Sequence, residues 1–508
     1  MHNKPFYITT TLPYVNAEPH IGHALEFVRA DVIARYKKSE GYDVFFNTGT
    51  DEHGTKIQEG ADNEGIPVQE YVDRNAARFR ELYPALGISE DIHYIRTTDE
   101  VHIKAAQEMW KRCEANGYIY KKTYKAKYCV GCELYKTDSE LVDGKCELHP
   151  TREIEIIEEE NYFFAFSKLQ DKLIELYKNN PTLVVPDFRF NEIKAFVERG
   201  LEDFSISRLK SKMSWGVPVP GDADHVMYVW FDALTSYIST LGWPHSAEAS
   251  RGTPHNTGAT QGTPETTEDS FQKYWVEGTK VQYCGKDNLR QQSAIWQAML
   301  LASGLPATDT IVINGFILSG GQKMSKSTGN VINPFDVLES FKEVTDYPED
   351  VLRFILLHEV SSFEDGDITM ESIKTAYTAY LANGIGNLTN RIMKMATTYN
   401  VVLEQLDSID NGYTFRINEN CNKFNLTEAI KIISELIKDT DTIIATREPF
   451  KKIKTDEETA KQDVYLLLKN LFIVGKSLTP FLPRTSAKIL ECIRENKMPE
   501  KPLFNRLP

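Results

Sequence analysis

The feature that narrows the fold most is a strand, a helix and a second strand compressed into the first 46 residues. Phe6 to Thr11 is rich in β-branched and aromatic residues and ends at Pro13, the mark of a buried strand running into a loop. Ala24 to Lys38 has helical periodicity and stops before Gly41, and Tyr42 to Phe46 reads as the second strand. Strand, helix, strand at this spacing opens a parallel α/β sheet. A second such passage, the helical stretch Leu289 to Leu301 followed by the apolar run Ile311 to Leu318, lies far downstream. The expected fold is therefore α/β, a Rossmann-like parallel sheet split by the segment between.

A chain of 508 residues exceeds what one core serves, so several domains are expected. The sheet is assigned to 1–116 and 226–325, a connective insertion to 117–225, a signature-loop and stem-contact region to 326–369 and an all-α bundle to 370–508, where Gly and Pro are sparse after Gly412. Residues 245–270 are poor in large apolar residues, repeat Gly-Thr-Pro and read as a disordered surface loop. The formal charge of −15 argues against broad nonspecific polyanion binding. Lys121, Lys122, Lys125 and Lys127, and the acidic run from Glu153 to Glu160, read as solvated surface. Met1 to Phe6 lacks a basic-then-apolar leader, and no apolar run reaches the ~18 residues of a membrane helix. A cytoplasmic protein with no membrane partner is expected.

Seven cysteines, an odd number with three clustered, point to metal rather than disulfides. Cys129-Val130-Gly131-Cys132 and Cys146-Glu147-Leu148-His149 form two knuckles separated by a short loop. Three thiolates and one imidazole close a tetrahedral Zn2+ site with no open position, so one structural zinc is expected. An unmetallated cysteine cluster is the alternative.

His20-Ile21-Gly22-His23 falls where the first strand meets its helix, a place where helix N-terminal amides bind phosphate. Gly320-Gly321-Gln322-Lys323-Met324-Ser325-Lys326-Ser327 follows the second sheet passage on a glycine-hinged loop. Each motif taken alone also fits a structural turn.

In this order and on these elements the two motifs resemble the paired signatures of class I aminoacyl-tRNA synthetases. That resemblance implies in-line attack of an amino-acid carboxylate on the α-phosphate of ATP, with catalysis by positioning and by cations on the phosphates. His20, Gly22 and His23 would serve one side of ATP, brought in with Mg2+, and Lys323, Ser325 and Lys326 the other. Four further blocks resemble the methionyl-tRNA synthetase family: Thr11-Leu12-Pro13-Tyr14, Thr48 to Gly54, Trp215 to Pro220, and Tyr228 to Tyr237. The resemblance spans nearly the whole chain and implies an enzyme that activates L-methionine and transfers it to initiator and elongator tRNA(Met). Asp51 would hold the substrate ammonium, the Leu12 amide and Tyr237 hydroxyl would face its sulfur, and Tyr14, Val229, Trp230 and Ala233 would enclose the side chain. After Gly285-Lys286-Asp287 the family commonly has an aliphatic residue and, four positions on, a histidine; this chain has Asn288 and Gln292, placed in the same pocket.

Asn383, Asn387 and Arg391, spaced four apart, share one helix face, which is either a solvated polar face or a reader of unpaired bases. Asn387 and Arg391 resemble the family's anticodon-reading residues, and Phe450 stands where a stacking tryptophan is usual. Other class I synthetases, small nucleotidyltransferases with a similar histidine signature, and a dead paralogue that only binds RNA are the rival readings. A large hydrolytic insertion has no room between His23 and Lys323; the nucleotidyltransferases lack the cysteine insertion and helical region; His20, His23, Lys323 and Lys326 are intact. The chain ends soon after the helical region, and a monomer is expected.

Overall fold

The structure, a computed structural model, describes residues 4–132, 134–136, 141–244, 270–324, 330–403 and 412–507. The loop expected at 245–270, apart from Ser270, and the signature residues Ser325 and Lys326 lie outside the described residues. The chain forms two compact units, residues 1–18, 43–79 and 91–313, and residues 19–42, 80–90 and 314–508.

The first unit is built on strands β1 (Pro5–Thr10), β2 (Asp43–Thr50), β3 (His93–Arg96), β4 (Ile119–Cys129), β5 (Glu155–Phe164), β6 (Val184–Val185), β7 (Thr279–Gly285) and β8 (Thr310–Asn314). Six of them make a sheet in the order β3-β2-β1-β7-β8-β6, with β1 parallel to both β2 and β7. Ile8 sits in register with Phe46 on one side and Val281 on the other. Phe6 to Thr10 is buried without alternation, as a strand covered on both faces must be. Trp110, Trp275 and Trp296 are fully buried in the same core, and Tyr7 donates its hydroxyl to the Tyr237 carbonyl at 2.8 Å.

Strands β4 and β5 form a separate antiparallel ladder in which Thr123 faces Glu160 and Lys125 faces Glu158. The lysine cluster and part of the acidic run therefore lie on two paired antiparallel strands. Opposite charges across such a ladder stabilise it weakly. Lys121 reaches Glu160 at 3.2 Å and Asp222 at 3.1 Å.

The second unit contains the helix Ile21–Ser39 and, after β8, a small sheet in which Ile317–Ser319 pairs with Gln322–Lys323 and Gly366–Asp367. The run Ile311 to Leu318, expected as one strand, breaks at Gly315 because the chain passes against the Glu364 backbone: a Cβ on Gly315 would lie 2.2 Å from the Glu364 carbonyl. The helical region follows as Asn387–Tyr399, Leu426–Arg447, Glu457–Leu478 and Pro483–Glu495, burying Ile392, Ile430, Ile433, Leu467, Leu471 and Ile489.

Candidate active site

Ligand sites in open parallel sheets form outside the carboxyl ends of the strands, where the strand order reverses. Here β1 is that point, flanked by β2, which follows it in the chain, and by β7 from far downstream. Leu12 and Tyr14 follow the carboxyl end of β1, Asp51 follows β2, and Asn288 and Gln292 follow β7. The structure thus brings together residues picked from three separate motifs. The segment 11–15 is held on both sides: Thr11 N donates to the Tyr283 carbonyl at 3.0 Å, Asp51 N to the Pro13 carbonyl at 2.9 Å, and Val15 N to the Asp51 carbonyl at 3.2 Å. Val229, Trp230 and Ala233 lie on the short helix Val229–Ala233, and Tyr237 on the turn after it. Leu12, Asp51, Val229, Ala233, Tyr237 and Gln292 are buried; Tyr14, Trp230 and Asn288 are half-buried.

The Gln292 amide nitrogen donates to the Tyr237 hydroxyl, while its Oε1 is buried without a hydrogen-bond partner among the described residues. Trp296 packs edge-on against the Tyr237 ring at 5.8 Å. An amide NH2 only donates, so the phenol oxygen accepts there and its own proton points elsewhere.

In the second unit, His20 is the N-cap of Ile21–Ser39, with its Nδ1 accepting from Gly22 N at 3.1 Å. His23 Nδ1 accepts from His20 N at 3.1 Å, and the rings stack at 3.8 Å. This is a capping box made from two imidazoles. An imidazole whose Nδ1 accepts carries its proton on Nε2, so both neutral rings offer Nε2–H donors at a helix N-terminus. Loss of solvent, then the neighbouring His20, holds the His23 pKa well below its usual value, which keeps that ring neutral. A Cβ on Gly22 would come 2.9 Å from His20 Cε1, so glycine leaves room for the cap. Lys323 ends the strand Gln322–Lys323.

Cys129, Cys132, Cys146 and His149 bring their ligand atoms within 4.8 Å of one another. Two Sγ to Nδ1 distances are 3.9 Å, and Cys132 lies 3.2 Å from both Cys146 Sγ and His149 Nδ1. A tetrahedron with bonds of ~2.0 to 2.3 Å has edges of roughly 3.5 to 3.8 Å; the separations here fall on both sides of that range, and the three thiols and one imidazole form a group that could hold a metal ion. Burial pushes the Cys146 thiol up, but Cys132, Cys129 and the Leu148 and His149 amides bring it below its usual value. Gly131 is required by the fold of the knuckle, since a Cβ there would lie 2.3 Å from His149 Cγ.

Asn387 and Arg391 lie on the helix Asn387–Tyr399; Asn383 lies on the wider π-helical turn Tyr377–Gly386 that precedes it. Asn383 and Asn387 are exposed, and Arg391 is half-buried and ion-paired with Asp441. Phe450, on the short helix Pro449–Lys452, is 42% exposed and free to present a ring face, with Lys451 Nζ 5.9 Å from its centroid.

Sequence reasoning passed over His53, His102 and Asp232. Each imidazole donates to a different oxygen of the buried Asp232 carboxylate at 2.7 Å. His53 and Asp232 stand inside motifs already quoted, but nothing local indicates that they meet, and His102 is in neither.

The sequence matches the family described as tRNA synthetases class I (M) over residues 6–153 and 139–393. A methionine--tRNA ligase of Brucella suis biovar 1 is 37% identical over 97% of this chain and 92% of its own length. One from Thermotoga maritima is 36% identical over 98% of this chain and 76% of its own. The structure of the Mycobacterium tuberculosis methionyl-tRNA synthetase in complex with methionyl-adenylate superposes with a TM-score of 0.84 at 32% identity, covering 99% of this chain and 98% of that one. With Leu12, Tyr14, Asp51, Asn288 and Gln292 beyond the carboxyl ends of β1, β2 and β7, and a relative matching along almost the whole chain, this chain belongs to the methionyl family of class I tRNA synthetases.

Proposed function

We propose that the chain works as a methionine--tRNA ligase through the residues described above, forming methionyl-adenylate and pyrophosphate from L-methionine and ATP and then charging tRNA(Met), initiator and elongator. The observation that carries this reading is the convergence of Leu12, Tyr14, Asp51, Asn288 and Gln292 beyond the carboxyl ends of β1, β2 and β7. Methionine-dependent exchange of pyrophosphate into ATP is the direct test; exchange stimulated by another amino acid and not by methionine overturns it.

Asp51 binds the substrate ammonium. Tyr14, Val229, Trp230 and Ala233 form an apolar wall suited to the flexible, polarisable thioether. The Leu12 amide and the Tyr237 hydroxyl address the sulfur, a weak acceptor. His20 and His23 donate Nε2–H to phosphate, Gly22 opens the helix start, and Lys323, Ser325 and Lys326 balance pyrophosphate charge. Mg2+ enters with ATP, where it neutralises phosphate charge. No helix among the described residues is long and apolar enough to cross a membrane. A monomer working in the cytoplasm fits this reading.

The Gln292 to Tyr237 bond gives the sulfur contact its direction. Gln292→Leu keeps the volume and removes the donor, so the ratio of kcat/KM for methionine over norleucine falls about three- to tenfold, the worth of one net hydrogen bond of ~0.5 to 1.5 kcal/mol. Norleucine replaces sulfur by a methylene, which makes the ratio a readout of that contact alone; an unchanged ratio removes Gln292 from sulfur recognition.

The Cys/His knuckle holds one zinc, whose role is to tie its loops together; it takes no part in the reaction. Elemental analysis is expected to find one zinc per chain, and Gly131→Ala to lower that occupancy because the new methyl displaces His149. Zinc-free protein with normal stability refutes the assignment.

Asn383, Asn387, Arg391 and Phe450 form the anticodon-reading face. Arg391→Ala raises the KM for tRNA at least about tenfold with pyrophosphate exchange near normal, since a charge-assisted contact is worth ~1.5 to 3 kcal/mol. Equal aminoacylation by both proteins at limiting tRNA would show that this face does not read the anticodon.

A further inference from the structure

We infer that Asp232 and His53 are positioning residues for methionine recognition: the buried carboxylate, which His102 also binds, fixes the segment that carries Asp51 against the wall that carries Val229, Trp230 and Ala233. The inference rests on the reading of Asp51 as the ammonium ligand.

Asp232 Oδ2 lies 2.7 Å from His53 Nδ1 and Oδ1 lies 2.7 Å from His102 Nε2; the carboxylate and the His102 side chain are fully buried, and the His53 side chain is 6% exposed. His102 Nδ1 is 3.1 Å from Ser239 Oγ. Burial alone would raise the Asp232 pKa, but His53 and then His102 bring it down to about 2, so the group is an anion. Around it the core is aromatic, with Trp110 and Phe231 edge to face at 5.6 Å. A buried ionic cluster in such a place costs stability relative to well-packed apolar residues, and its best attested benefit is to specify one arrangement.

The two arms are not equivalent. His102 sits within the regular helix Glu100–Ala115, whose backbone is already fixed. His53 sits in the irregular segment between β2 and the helix Thr55–Glu64, two positions after Asp51, whose own backbone is bridged to Pro13 and Val15. Other ties secure that segment from different directions. Glu52 is clamped by Arg96 at 2.7 and 2.8 Å and by Thr50 and Thr98 at 2.6 Å, and Trp215 Nε1 donates to the Glu52 carbonyl at 2.6 Å. His53 supplies the side-chain bond from this segment to the block Tyr228 to Tyr237. Removing it takes away the tie that sets the Asp51 segment against the aromatic wall, while the residues assigned to ATP stay as they are.

The test compares KM for methionine and for ATP in pyrophosphate exchange among wild type, H53A, H53N, D232N and H102Q. Misplacing a recognition group by ~1 Å can cost up to about a hundredfold, so H53A and D232N are expected to raise the methionine KM at least about tenfold, with the ATP KM within about twofold. H53N places an amide nitrogen where Nδ1 stood and returns the methionine KM to within about threefold of wild type. H102Q likewise places an amide nitrogen where Nε2 stood and leaves the methionine KM within about threefold, because the contact to Asp232 persists and the helix Glu100–Ala115 holds its own backbone. Should H53A not fold, D232N carries the comparison. Wild type without methionine-dependent exchange would overturn the underlying reading and the inference with it. Wild type that activates methionine, with H53A or D232N leaving its KM unchanged, raising both KM values alike, or matched by H102Q, would overturn the inference alone.

Discussion

Replacing His20 by Asn is expected to slow single-turnover formation of methionyl-adenylate by about 10²- to 10³-fold, the usual cost of deleting one preorganised donor to developing charge. The substitution is chosen because His20 does two things at once. Its Nδ1 caps the helix Ile21–Ser39 by accepting from Gly22 N, and that same bond places the ring proton on Nε2. Asparagine is among the best N-caps, so the helix start survives and only the Nε2–H donor is lost. The thermal midpoint should therefore move by no more than about 2 °C, which corresponds to about 0.5 to 1 kcal/mol for a unit of this size. His20→Ala, by contrast, removes the cap as well and adds a loss of ~0.5 to 2 kcal/mol in stability. Rapid quench measurement of adenylate under saturating ATP separates the outcomes, and a near-normal rate for the Asn variant would remove His20 from phosphate binding.

Arg353→Met is expected to destabilise the second unit by ~3 to 5 kcal/mol, because it leaves a buried carboxylate short of its main counter-charge. Arg353 is fully buried and meets Asp31 Oδ2 at 2.8 Å; Asp31 in turn accepts from Arg35 Nε at 2.7 Å and from Ser89 N and Oγ at 2.9 and 2.7 Å. The guanidinium also donates to the carbonyls of Phe481 at 2.7 Å and Pro480 at 2.9 Å, which ties the helix Pro348–His358 to the end of Glu457–Leu478. Methionine fills the volume of the stem but makes none of these bonds. Burial raises the Asp31 pKa, yet Arg353, then Arg35, and the Ser89 and Arg35 hydrogen bonds bring it below its ordinary carboxylate value. A depressed carboxylate contributes stability that is present above its unfolded pKa and lost as pH falls through the folded one. The penalty of Arg353→Met should accordingly be largest at neutral pH and shrink below about pH 4, in the range where Asp31 protonates. Urea unfolding at pH 7 and pH 3.5 checks both statements; an equal penalty at the two values would mean that the Asp31 charge is not what Arg353 compensates.

The opening strand, helix and strand were legible because each is encoded by neighbours a few residues apart. Phe6 to Thr11 carries the continuous apolar run of a doubly covered strand, and the structure places it at Pro5–Thr10. The Cys/His knuckles were legible for the same reason, since their spacing already limits how far apart the ligand atoms can lie. Where a local signal met a distant neighbour, the reading was coarser. Ile311 to Leu318 carries strand propensity throughout, but the close passage of Glu364 past Gly315 divides it in two. The lysine and glutamate runs read as separate patches of solvated surface, and only the β4 to β5 register shows that they oppose each other.

Chain order, motif spacing and helical periodicity were enough to specify a parallel α/β sheet, a helical region and the knuckle, because these depend on covalent neighbours and on patterns repeating every few residues; the resemblance of its motifs supplied the family. Which residues meet is a different matter. His53 and His102 reach Asp232 across 179 and 130 positions, and Gln292 reaches Tyr237 across 55. Those meetings follow from the strand order β3-β2-β1-β7-β8-β6 and from the need of each buried polar group for a partner, and both are settled only when the sheet closes around its core.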